Sequence, residues 1–420
     1  MIQYSLEQEF AEQMDANDPV ASLRKEFYIP KAASGLDSIY FCGHSLGLQP
    51  ITARKNIEKT LYDWEKLGVE GHFHGAPRWL DYSELLSPKL AKIVGAQQSE
   101  IAIMNTLTVN LHLMLVSFYR PTPDKHKILI EANAFPSDRY ALNSQIQFHG
   151  YAPETSLLEL KPRDGETHIR TEDIEQLLER EGESIALVFL GGVNYLTGQY
   201  FNLEKITKKA QQYSCYVGFD LAHAVGNVSL TLHDWQVDFA VWCHYKYLNG
   251  GPGAIAACFV HEKYAHQSDL PRFAGWWGNK IETRLLMESQ FQPSTGAEGW
   301  QVSNPDVLSL ASLSASLDIF ERVGMEQLVA KSRLLTGYLE FLLNNLENKS
   351  LLLLTPSHPQ ARGCQLSMQL KNTTGTILKK LTEAGIVCDW REPDTLRIAP
   401  APLYNSFTEI FQFVQTLSKL

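Results

Sequence analysis

The chain has 420 residues, 44% of them hydrophobic, and a formal charge of −10. That is the composition of a globular protein with room for two domains, or for one large α/β domain with an appendage. The charge is spread without a basic stripe, so the electrostatic footprint of a nucleic-acid binder is missing and small-molecule partners are expected.

Six widely spaced cysteines, with no Cys-x-x-Cys pair, read as free thiols in a reducing compartment. Residues 1–19 are acidic and lack an apolar leader core, and the most apolar long run, Leu111 to Tyr119, is too short to cross a bilayer. A cytoplasmic location is expected, with no secretion and no membrane partner.

Residues 1–30 predict a polar helix followed by an extended arm. The segment Tyr40-Phe41-Cys42-Gly43-His44-Ser45-Leu46-Gly47 is then a glycine-punctuated loop, read either as a plain connection or as one that turns Ser45 and backbone amides toward a ligand. Thr52 to Leu67 has helical periodicity. It leads into Gly71-His72-Phe73-His74-Gly75. A His-x-His pair without a third ligand nearby is a poor zinc signal, so no metal is expected and the loop is read as structural or substrate-contacting.

From about residue 90, short β-rich runs alternate with helical ones, the pattern of a parallel sheet wrapped by helices. Seven strands are predicted: Ile101–Met104, Lys127–Glu131, Ser156–Leu160, Ile185–Leu190, Cys215–Phe219, Phe239–Cys243 and Ala254–Val260. Ligands gather beyond the carboxyl ends of such strands. Asn105-Thr106-Leu107-Thr108 opens a helix there, whose first turn is either simply capped or free to bind phosphate. Phe135 could stack on a planar ring or merely pack. Asp220 closes one strand run, with His223 expected on the same face of a following helix.

Lys246 stands 26 residues beyond Asp220, just after another strand run and before Gly250-Gly251-Pro252-Gly253. A lysine held rigidly can form a Schiff base, and pyridoxal phosphate needs a carboxylate on its pyridine nitrogen. Asp220 and Lys246 at this spacing suggest one aldehyde-cofactor site.

Further on, Gly275-Trp276-Trp277-Gly278 is an aromatic loop, and Asn304-Pro305-Asp306 predicts a helix start with Asn304 as the cap. The organisation expected is an N-terminal arm over 1–50 that is part of a small domain, a large domain over 51–305 and a small α+β domain over 306–420.

Together with Met104 to His112, Phe135-Pro136-Ser137-Asp138, Ser303-Asn304-Pro305, Leu396 to Pro400 and Leu403 to Phe407, these motifs resemble kynureninase. That is a pyridoxal-phosphate family of the fold-type I aminotransferase superfamily, and the likeness spans about Phe41 to Tyr404. It implies a mainly parallel seven-stranded sheet with flanking helices, a small α+β domain, and a homodimer with a shared active site. The implied activity is hydrolysis of L-kynurenine or its 3-hydroxy form to anthranilate or 3-hydroxyanthranilate and L-alanine.

By the same resemblance Lys246 is the Schiff-base lysine, Asp220 the pyridine-nitrogen partner and Phe135 the stacking ring. Leu107 and Thr108 would hold phosphate, and Asp138, His223 and Tyr245 would complete the shell, with Tyr245 also exchanging protons. Trp276 and Asn304 would close the site from a partner subunit. Arg397 would grip the substrate α-carboxylate, a task suited to its planar fork, and Ser45 and His72 would lie near the aromatic end. Two departures stand out: His44 replaces the family's usual Asn, and Gly191 its usual Ser, leaving one cofactor hydrogen bond to water or a backbone amide. The rival readings are another superfamily enzyme, a cysteine desulfurase or aminotransferase, and a non-catalytic cofactor-binding scaffold.

Overall fold

The computed structural model describes residues 3–420 apart from 268, 287, 347–350 and 372–374. After a first helix, Gln8–Ala16, the chain runs as an arm to the short strand β1, Ile39–Tyr40. Helix Ile51–Leu67 follows, and then a seven-stranded sheet. Its strands are β2 (Ile101–Ile103), β3 (Lys127–Glu131), β4 (Leu157–Leu160), β5 (Ile185–Gly191), β6 (Tyr216–Asp220), β7 (Phe239–Trp242) and β8 (Ala257–Val260). They lie in the order β2-β8-β7-β6-β5-β3-β4. Pairing is parallel from β4 to β7, and β8 runs antiparallel to both its neighbours.

Alternation along the strands explains the layers. In β5, Val188 and Leu190 pack with helices Thr171–Glu181, Leu203–Gln211 and Val307–Val323 on one face, while Leu187 and Phe189 pack with Leu107–Phe118 and Pro136–Phe148 on the other. With both faces covered, the central strands can be continuously apolar. Beyond helix Met325–Asn344 come β9 (Leu351–Leu353), β10 (Leu366–Leu370), β11 (Ile386–Val387), β12 (Asp389–Arg391) and β13 (Thr395–Ile398). Four of these form an antiparallel sheet, β12-β13-β10-β9, with its own core against helices Gln8–Ala16, Met325–Asn344 and Phe407–Leu417.

Helix Val307–Val323 shares its core with the large sheet through Leu310, Leu313, Leu317 and Phe320. Leu328, Ala401, Leu403 and Tyr404, further along the chain, share that core too. The arm belongs to both bodies: Ala11 and Phe41 join the small core, whereas Leu23, Phe27 and Leu48 join the large one. β1 pairs with β11, Phe41 N–H donates to the Val387 carbonyl at 2.8 Å, and Gly47 N–H donates to the Tyr245 carbonyl at 2.8 Å.

Two local expectations are corrected. The helix after residue 304 is capped by Asp306, whose side chain accepts from the Leu308 and Ser309 amides; Asn304 is outside the helix. No helix follows Asp220, because the Ala224 and Val225 amides both turn back to the Leu221 carbonyl and the chain proceeds as turns to Gly226. Among the described residues no helix is long and apolar enough to cross a membrane.

Candidate active site

The cavity lies beyond the carboxyl ends of β3, β5, β6 and β7, where a sheet of this kind places ligands. Eight of the residues singled out in the sequence line it together: Leu107, Thr108, Phe135, Asp138, Asp220, His223, Tyr245 and Lys246. Each arrives on a strand end or a helix start. Asp220 is the last residue of β6, Lys246 sits in the loop leaving β7, and Leu107 and Asp138 occupy the first turns of their helices.

Neither helix start has a side-chain cap, but at the second Pro136 has no N–H and the Asp138 amide turns back to the Phe135 carbonyl at 3.0 Å, so that start offers only the Ser137 amide. Between them the Thr108 and Ser137 hydroxyls meet at 2.8 Å. This is a cradle for an anion such as a phosphate. Phe135 presents its ring at the rim, 43% exposed and edge-on to Tyr195. Lys246 Nζ is 5.8 Å from the Phe135 ring centroid and 5.9 Å from that of Tyr245. No carboxylate lies within ion-pair distance of it among the described residues, so the amine is available to a ligand.

Asp220 and Asp138 are both buried, and Asp220 Oδ1 accepts the Ala222 amide at 2.7 Å. Burial raises the proton affinity of both. For Asp138 the neighbouring Asp220 adds to it, while for Asp220 the Lys246 charge pulls the other way. Of the two, Asp138 is pushed further, well above the usual carboxylate range. Burial and the Lys246 and Arg397 charges hold His223 neutral. Burial raises the Tyr245 hydroxyl far above the ordinary phenol value, so it retains its proton. Asp138 Oδ1 and His223 Nδ1 lack hydrogen-bond partners among the described residues. Unmatched buried polar atoms around an anion cradle, with a carboxylate opposite and a free amine beside an aromatic face, fit a flat, phosphorylated, nitrogen-bearing aldehyde such as pyridoxal phosphate.

Arg397 comes from β13 of the small domain and is 1% exposed. Its Nε donates to Asp389 Oδ2 at 2.6 Å, Nη2 pairs with the same carboxylate, and Nη1 donates to the Tyr195 carbonyl at 2.5 Å. Burial alone would raise Asp389, but His44 and the guanidinium outweigh it and hold its carboxyl well below the usual range. His44 lies wholly buried beside this pair, Nε2 3.8 Å from Asp389, and burial pushes it down to about 4, so it is neutral. The departure at position 44 thus lies beside the Asp389–Arg397 pair.

Five sequence-predicted residues are not among those lining the cavity in this chain: Arg397, described above, and four others. His72 packs edge-on against Trp79 in a separate groove with Trp64 and Leu308. Trp276 and Asn304 are exposed, and Ser45 is half-buried with its amide turned to the Cys42 carbonyl. The other departure, Gly191, donates its amide to Glu131, which also lines the cavity. Glu131, Ser137, Tyr195 and Asp389 are site residues that sequence reasoning missed. Glu131 was visible only as an acid closing an apolar run, and Ser137 only inside a motif.

A family profile described as "Kynureninase C-terminal domain" matches residues 328–417. The kynureninase of Koribacter versatilis is 56% identical over 97% of this chain and 96% of its own length, and that of Myxococcus xanthus is 54% identical over the same shares. The kynureninase of Nematostella vectensis is 48% identical over 98% and 93%. Among solved structures, a C-DES variant with glycine covalently linked to the PLP cofactor superposes with a TM-score of 0.78 at 18% identity, covering 94% of this chain and 99% of that one. The Escherichia coli cysteine desulfurase CsdA gives 0.76 at 17%, covering 95% and 97%. Those two likenesses concern the fold. At about half identity across nearly its full length, the chain belongs to the kynureninase family.

Proposed function

We propose that this chain hydrolyses L-kynurenine, its 3-hydroxy form, or both, to the aryl acid and L-alanine, using pyridoxal phosphate held at Lys246. The observation that carries this reading is the meeting of Asp220, Asp138, Lys246, Phe135 and the Thr108–Ser137 cradle in one cavity of a chain so similar to kynureninases. Bound there, pyridoxal phosphate supplies the aldehyde for the substrate amine and a ring that accepts electrons.

The chain's own residues do the rest. The amides at the start of helix Leu107–Phe118, the Ser137 amide and the two hydroxyls hold phosphate, and Phe135 covers one face of the ring. Asp220 balances a positive ring nitrogen, with Asp138, held well above the usual carboxylate range, beside it. Lys246 takes and returns the proton at the substrate Cα. Tyr245, which keeps its proton and whose ring lies 5.9 Å from that amine, donates to carbon when the aryl acid leaves. Arg397 receives the α-carboxylate between Asp389 and the Tyr195 carbonyl.

A desulfurase would need a reactive thiolate. All six cysteines are free, and burial raises every one above its ordinary value; Cys258 is locked in β8. The free thiols suit a reducing cytoplasm. Exposed Trp276 and Asn304, with His72 in its surface groove, are offered to a second copy's cavity in a homodimer. Incubation with kynurenine and 3-hydroxykynurenine, followed by product fluorescence, tests the activity. Lys246→Ala should lose both turnover and the visible absorbance of bound cofactor, and turnover that survives the substitution overturns the scheme.

A further inference from the structure

Three neighbouring strands end on the cavity floor in an acid, a glycine and an acid: Glu131 on β3, Gly191 on β5 and Asp220 on β6. The register sets Gly191 directly beside Asp220. Glu131 is 3% exposed, and its two carboxyl oxygens accept the Gly191 amide at 3.1 and 3.2 Å. A Cβ on Gly191 would stand 2.9 Å from Glu131 Oε1, the far end of a flexible side chain, so a side chain at 191 would displace the carboxyl.

An amide of the same shape would serve the Gly191 N–H equally well without burying an acid. No cation pairs with Glu131 among the described residues; the acids facing it are Asp220 and Asp138, with Lys246 beyond them.

Resting on the cofactor reading above, we propose that Glu131 is a positioning residue that acts through Asp220. Its carboxylate, across the bare Cα of Gly191, adds negative charge behind Asp220 and strengthens that residue's hold on a protonated ring nitrogen, and a side chain at 191 would displace it. Burial, assisted by Asp220, lifts Glu131 to about 7, so its charge adjusts close to neutrality.

The test compares wild type, Glu131→Gln, Glu131→Ala, Gly191→Ala and Glu131→Ala/Gly191→Ala. Each apo-protein is titrated with pyridoxal phosphate, and the absorbance of the bound cofactor is followed from about pH 6 to about pH 9. In Glu131→Gln the absorbance midpoint should fall by about one unit. Gly191→Ala should weaken cofactor binding about tenfold, and far less where Glu131 is also truncated. Superimposable titrations of wild type and Glu131→Gln, or an equal cost of Gly191→Ala in both backgrounds, overturn this inference alone. A wild-type protein that binds no pyridoxal phosphate overturns the cofactor reading and this inference with it.

Discussion

Replacing Arg397 by lysine keeps the charge and removes the fork. The guanidinium now spends Nε and Nη2 on Asp389 and Nη1 on the Tyr195 carbonyl, all at a site that is 1% exposed. A lysine ammonium cannot satisfy Asp389 and a substrate carboxylate with the same planar geometry. At least one charge-assisted hydrogen bond is lost in the substrate complex, about 1.5–3 kcal/mol. That corresponds to about a 10- to 150-fold rise in KM. The turnover number should change little, because the proton-transfer groups Lys246 and Tyr245 sit on the other domain. Steady-state kinetics with kynurenine measures the split, and an unchanged cofactor absorbance spectrum certifies that the large domain is intact. A KM within about threefold of wild type, below the loss of a single such bond, refutes the assignment of Arg397.

Glu131 also makes a stability prediction. Its carboxyl titrates at about 7 in the fold against 4.5 ordinarily, so the folded state holds the proton longer and stability falls as pH rises through that window. Denaturant unfolding of the apo-protein should show wild type losing up to about 3 kcal/mol relative to Glu131→Gln between pH 4.5 and pH 7; parallel curves contradict it. Asp306→Ala removes two capping bonds from helix Val307–Val323 and should cost about 1 kcal/mol, with Asp306→Asn costing less, read from urea midpoints.

The strand pattern was legible because the sheet is covered on both faces, so its strands stand out as apolar runs such as Lys127–Glu131 and Ile185–Gly191. Lys246 and Asp220 were legible because cofactor chemistry demands both, each at a strand end. Glu131 and Asp389 were not, since each matters through a partner far along the chain: Gly191 lies 60 residues from Glu131, and no periodicity records that pairing. The start of helix Val307–Val323 was misjudged by two residues because Asn304 and Asp306 are both good caps, and only the path of the backbone chose between them. The turn after Asp220 defeated a helical reading because its geometry is tied to a distant segment: Asn227 Oδ1 accepts the Cys364 amide at 2.8 Å, a contact no local pattern records.

The arm carries a mechanical consequence. Phe41 is bonded to the small-domain backbone at Val387, and Gly47 to the backbone of Tyr245, next to the reactive lysine. Only residues 42–46 separate the two anchors, a tether of at most about 18 Å when fully drawn out. That tether, which also carries His44 and Ser45, limits how far the small-domain sheet and the lysine loop can part, so residues inserted between Phe41 and Gly47 should loosen the placement of Arg397 against the cavity and raise KM.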